Sequence, residues 1–200
     1  MSITLFLPFL FGVIFFVAVA RTAFHRPRRR KIDSVIPFVR KLDVSELEVL
    51  MDAGEEWSLR HFLAEDAFRI AQHERIRLVG EYLRRVAHNA SVIQLWMSGE
   101  YEPIKHKNRD KLSEKEALIL ELLQITTELR IYSMGALLKV WFWKAFRVDR
   151  WPAHLVPRLT DLRVTCGVNV CDKYRQLTQV ASVLSGTYGQ SYQEKLLSAL

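Results

Sequence analysis

Two kinds of hydrophobic pattern succeed one another along this chain. From Ile3 to Ala20 it reads ITLFLPFLFGVIFFVAVA, eighteen residues without a charge. At a rise of about 1.5 Å per residue this run covers about 27 Å, close to the hydrocarbon thickness of a bilayer, and Thr22 to Phe24 extend it. It reads as a transmembrane helix. Pro8 and Gly12 would weaken a water-exposed helix, but lipid tolerates both, and Pro8 falls in an early turn where little hydrogen bonding is lost.

Beyond residue 43 the apolar positions recur every three or four residues, the period of helices that bury one face. A short helix is expected from Ser45, a good N-cap with Glu48 at capping-box spacing, through Leu47, Leu50 and Met51 to a stop at Gly54. A second is expected from Ser58 to Met97, ending at Ser98-Gly99, with a seam of Ile76, Val79, Leu83, Val86, Ala90, Ile93 and Met97. A polar loop from Glu100 to Leu112 leads to Ser113, which is suited to cap a third helix with Glu114 and Glu116 in its first turn. The third seam is Leu118, Leu122, Ile125, Leu129, Tyr132 and Ala136. Two long helices joined by such a loop predict an antiparallel pair.

Pro152 and Pro157 mark a turn over Asp149 to Pro157. A fourth helix is expected from Arg158 to Leu184, burying Val170, Tyr174, Leu177, Ala181 and Leu184, with Gly167 as its weak point. After a loop around Gly186 and Gly189, Glu194 to Leu200 reads as a short terminal helix or a partner-binding tail. No strand alternation and no internal repeat stand out. The expected fold is therefore mainly α: an N-terminal transmembrane helix, then a bundle of about four helices built on a long antiparallel pair. The organisation is 1–24 anchor, 25–43 basic juxtamembrane linker and 44–200 helical domain.

Charge changes this picture in one place. The chain has 29 Lys and Arg against 22 Asp and Glu, a net +7. Six of the cations, Arg21, Arg26, Arg28, Arg29, Arg30 and Lys31, lie together without an acid among them, leaving 23 basic against 22 acidic residues elsewhere. The body is close to neutral, which argues against nucleic acid as a partner. The basic run follows the apolar segment, and only Met1-Ser2 precede it. By the positive-inside rule the N-terminus lies outside and the domain is cytoplasmic. Ala18-Val19-Ala20 also has the small-x-small form of a signal-peptidase site, so an exported protein cleaved after Ala20 is the rival, opposed by the missing positive n-region. The basic run sets topology and can also contact anionic headgroups.

The run Leu137 to Phe146 is dense in aromatics, and Lys139 and Lys144 interrupt it, so it is too short and too charged to be a second span. Trp141, Phe142, Trp143 and Phe146 are the interface candidates. They read either as an interfacial helix in the headgroup region or as filling for the core or a subunit interface with the lysines snorkelling outward, and the second reading is preferred.

Catalytic constellations do not emerge. No His has Glu three residues before it, as a di-iron bundle requires. His61 and Glu65 one turn apart, and Glu81 and His88 two turns apart, are the residues a membrane-tethered enzyme with a polar or metal-assisted site would use; Glu121 and Glu128 share a face of the next helix. Cys166 and Cys171, about 140° apart on a helix, read as buried thiols and not as a redox pair. Asn89-Ala90-Ser91 matches a glycosylation acceptor but lies within an expected helix. No catalytic, metal-binding or cofactor residue is assigned and no cofactor is implied. The partners expected are the bilayer through residues 3–24 and other membrane subunits. The function expected is that of a single-pass membrane-anchored interaction module serving a membrane assembly.

Overall fold

A computed structural model describes residues 35–101, 112–146, 155–165 and 167–200. The expected span, the six basic residues from Arg21 to Lys31, and Cys166 lie outside the described residues. Among the described residues no helix is long and apolar enough to cross a membrane. The architecture is mainly helical and rests on a long antiparallel pair, as expected. After a 3-10 turn at Ile36–Phe38 come α1 (Val44–Leu50), α2 (Ala53–Phe62), α3 (Glu65–Tyr101), α4 (Glu114–Ala145), α5 (Thr160–Arg163), β1 (Val164–Thr165), β2 (Val168–Asn169), α6 (Val170–Gly186) and α7 (Gln190–Ala199).

The two long helices are held by the seams read from their periodicity. All seven apolar positions on α3 are buried, as are Leu122, Ile125, Leu129, Tyr132 and Ala136 on α4. At the head of the α4 seam, Ile119 takes the buried place expected of Leu118, which is half-buried. Ser113 closes a full capping box with Glu116: its N–H donates to Glu116 Oε2 at 2.9 Å while its Oγ accepts from the Glu116 N–H at 3.4 Å. α6 adds a third helix antiparallel to α4, with Lys173 pairing with Glu128 at 2.7 Å and Gln176 donating to Glu121 at 3.1 Å. Its expected face, Val170, Tyr174, Leu177, Ala181 and Leu184, is buried throughout.

Several boundaries differ from the sequence reading. The cap of α1 is Asp43, not Ser45: its carboxylate accepts from the N–H groups of Ser45 at 2.9 Å and Glu46 at 3.3 Å. Those bonds and the Ser45 hydroxyl hold the Asp43 carboxyl below the usual carboxylate range. Glu48, expected in a capping box, instead pairs with Arg175 on α6. The helix expected from Ser58 to Met97 is two helices. Gly54 does not stop anything; it lies in the first turn of α2, behind the Asp52 cap. The chain breaks at Leu63, which is extended (φ −96°, ψ 145°), and restarts with Glu65 and Asp66 in the first turn of α3, where the helix dipole favours carboxylates.

The helix expected from Arg158 to Leu184 is likewise interrupted. Val164–Thr165 pairs antiparallel with Val168–Asn169, and Gly167 adopts φ +75°, a conformation open to glycine and costly for residues with a Cβ. Asn169 then caps α6 by accepting from the Cys171 N–H at 3.2 Å. The terminal helix is longer than expected, starting at Gln190 and not Glu194, and folds back so that Leu196 and Leu200 are buried.

Residues 35–51 lie antiparallel along α3 and act as a strap. Successive contacts step down that helix: His88 to the Phe38 carbonyl at 2.9 Å, Asn89 to Arg40, Arg85 to the Lys41 carbonyl at 3.4 Å, and Arg75 to the Leu50 carbonyl at 2.8 Å. The last bond supplies a cation to the C-terminal end of α1, where carbonyls lack helical partners.

Candidate functional site

The aromatic run at the end of α4 is the first place to look, because most of it faces solvent. Trp141, Phe142 and Phe146 are 54%, 44% and 64% exposed. Trp141 packs on Phe142 at 5.2 Å between ring centroids, and Phe142 stacks on Phe146 at 6.1 Å. Of the two places expected for these side chains, the core or a subunit interface, the bundle's own core does not hold these three. Trp143 alone turns inward, half-buried against the Phe68–Val156 cluster. The reason is helical geometry: successive residues are about 100° apart, so one side of this last stretch meets the start of α3 while the others meet no helix among the described residues.

Antiparallel packing brings a second set of apolar side chains to the same end. α2 abuts the start of α3, and there Trp57 is 57% and Phe62 80% exposed. Trp57 stacks on His61 at 4.5 Å. Beneath this surface the segment 155–159 is fastened by polar contacts. Glu56 is buried; its Oε2 accepts from the Leu159 N–H at 2.9 Å and its Oε1 pairs with Arg60 at 3.5 Å. Arg60 lies over the Phe68 ring at 4.9 Å and donates to the Val156 carbonyl at 3.4 Å, while Gln72 donates to the Pro157 carbonyl at 3.3 Å. A firm polar base thus carries an exposed aromatic cap. Isolated surface apolar residues need no explanation, whereas two groups of exposed aromatic side chains, three on α4 and two on α2, are more than isolated residues.

No family model, curated protein or solved structure matches the chain.

The residues that an enzymatic site between the long helices would use are dispersed and engaged elsewhere. His61 and Glu65, expected one turn apart, fall on α2 and α3 with the chain break between them. Glu81 pairs with Arg85 at 2.6 Å, and His88 binds the Phe38 carbonyl. Glu121 and Glu128 are taken by α6. Among the described residues no group of three or more His, Cys, Asp or Glu is placed to hold a metal ion. Cys171 is a buried free thiol, and burial pushes its pKa up to about 11, so it stays protonated and unreactive near neutrality.

Asn89 is the residue whose role the sequence hid. Read as a glycosylation acceptor, it is fully buried. Its Oδ1 accepts from the Arg40 N–H at 2.8 Å, and its Nδ2 donates to the Arg40 carbonyl and the Tyr174 hydroxyl, each at 2.7 Å. It binds the strap, α3 and α6 together, and the only sign in the sequence is one amide interrupting an apolar helix face.

Proposed function

We propose that this chain is a single-pass membrane-anchored helical interaction module, an accessory or scaffolding subunit of a larger membrane protein assembly. The observation that carries this reading is the exposure of large aromatic side chains, Trp141, Phe142 and Phe146 at the end of α4 and Trp57 and Phe62 on α2. Trp, Tyr and Phe anchor protein interfaces because each buries a large rigid surface at small entropic cost. The apolar run of residues 3–20 and the acid-free basic run behind it supply the anchor and direct the domain to the cytoplasmic face. The aromatic end is remote from where the N-terminal segment joins. Val35 bonds Tyr192, which packs against Trp96, whereas the aromatic end sits at Phe68, about 40 Å away along α3. That spacing along α3 favours a protein subunit as the occupant.

Photocrosslinking in native membranes tests the reading, with a photoreactive residue placed at Phe142 of the full-length chain and, as reference, at the exposed Gln179 on α6. Integral membrane subunits captured from position 142 and not from 179 are expected. Identical captures at both positions, or lipid alone at 142, would overturn it. Intact mass of the same material reports the anchor: a chain starting at Arg21 would mean cleavage after Ala20 and export.

A further inference from the structure

We infer that Arg40, Lys41, Arg84 and Arg85 form a docking surface for the anionic headgroups of the bilayer that holds the apolar segment, an inference that rests on the membrane-anchored reading. The four cations line one shallow depression, in which Glu81 is the single acidic residue among the described residues. Two come from the strap and two from α3. They are neighbours because side chains of α3 grip the strap by its backbone: Asn89 binds both the N–H and the carbonyl of Arg40, and Arg85 donates to the carbonyl of Lys41. The hydrogen bonds that position this shelf come mainly from main-chain groups and a buried amide, so the Arg40, Lys41 and Arg84 side chains stay exposed to solvent. The cations are thus gathered before any ligand arrives, which lowers the entropic cost of binding.

Nearby carboxylates are committed elsewhere. Glu81 pairs with Arg85, Asp43 caps α1, and Glu46 accepts from the Tyr82 hydroxyl. Arg85 forms an ion pair with Glu81, and Lys41 also feels the Asp43 carboxylate, whereas Arg40 and Arg84 form no ion pair among the described residues. Four cations against one lining carboxylate leave the depression positive, and a cluster of that kind draws anions.

Two observations select a lipid surface over a dissolved phosphate. Phe38, two residues before Arg40, is 54% exposed, so an aromatic ring stands beside the cations in the combination that favours the headgroup region. The shelf also follows closely on the basic run that ends at Lys31, with Asp33 the only acid between Lys31 and Arg40. Along the sequence the shelf prolongs that positive charge.

The test uses the full-length protein reconstituted in nanodiscs of phosphatidylcholine, with and without phosphatidylserine. A membrane-impermeant amine-acylating reagent reads the exposure of Lys41, with Lys139 on α4 as internal reference. Relative acylation of Lys41 is expected to fall roughly fivefold when phosphatidylserine is present, the size of one basic side chain's attraction to an anionic surface. Arg40→Glu with Arg84→Glu should abolish that protection, and the milder Arg84→Gln should reduce it, with circular dichroism unchanged in both. Equal acylation in the two bilayers would overturn the shelf. So would equal protection by inorganic phosphate in phosphatidylcholine discs, which would make it a site for free phosphate. Alkaline carbonate reads the anchor separately: a chain released from membranes overturns the anchored reading, whereas a chain that stays while Lys41 ignores phosphatidylserine overturns the shelf alone.

Discussion

Asn89 shows how much of this fold can depend on one side chain. Buried amides are tolerated when every donor and acceptor is met, and here three partners from two other segments meet them. Asn89→Ala would strand the buried Arg40 backbone groups and remove a partner from Tyr174. The expected loss is about 2 to 3 kcal/mol, read as a lowered thermal midpoint of the detergent-solubilised full-length protein; a loss within experimental error would mean that water replaces the amide. Burial also sets the alkaline limit. The Cys171 thiol is raised from 9.0 to about 11, mainly by desolvation, and the Tyr174 phenol from 10.0 to about 12 for the same reason. Both groups favour the protonated form when folded. Their contribution is complete below about pH 9 and is lost as pH rises through 11 to 12, because the unfolded chain sheds these protons first. Thermal midpoints should start to fall near pH 9, and a flat profile up to pH 11 would contradict the burial of both groups.

Among the elements, two glycines illustrate why local signals are read correctly in one setting and wrongly in another. Gly80 lies mid-helix on α3, and a Cβ there would meet Val140 Cγ1 at 3.4 Å, an ordinary contact. Gly80→Ala should therefore stabilise the protein by about 0.5 to 1 kcal/mol, the gain in helix propensity. Gly167 has φ +75°, so Gly167→Ala should destabilise by about 1 kcal/mol although nothing stands near its Cβ. The same stability measurement on both variants separates the cases by sign. In the sequence, Gly167 reads as a weak point in a helix, and the β-branched residues flanking it are too few to announce strands. The long seams of α3 and α4 were legible because a repeated period averages out single exceptions. The break at Leu63 was not, since Asp52 and Asp43 cap short helices whose ends are settled by packing on α3 and not by any strong local stop.

At the scale of the whole molecule, the antiparallel pairing decides which surfaces exist. It brings the end of α4 to the start of α3, where Trp143 packs on the Phe68–Val156 cluster and the neighbouring aromatics of α4 are left as an exposed cap. If that cap serves a partner, Trp141→Ser combined with Phe142→Ser and Phe146→Ser should leave stability within about 0.5 kcal/mol of the parent while abolishing crosslinks from the cap. Trp143→Ala, which empties a packed position, should cost about 2 kcal/mol or more. A triple variant that unfolds would instead return these rings to the core. The helical class, the long pair, the cap at Ser113, the apolar segment and the basic run were all determined by the sequence alone, because each is a local or strictly periodic property of neighbouring residues. Only tertiary structure decided which aromatics face outward, that Asn89 is a clamp, and that Arg40 and Lys41 stand beside Arg84 and Arg85. Those facts depend on which distant segment occupies each helix face, and side-chain type and spacing carry no record of that.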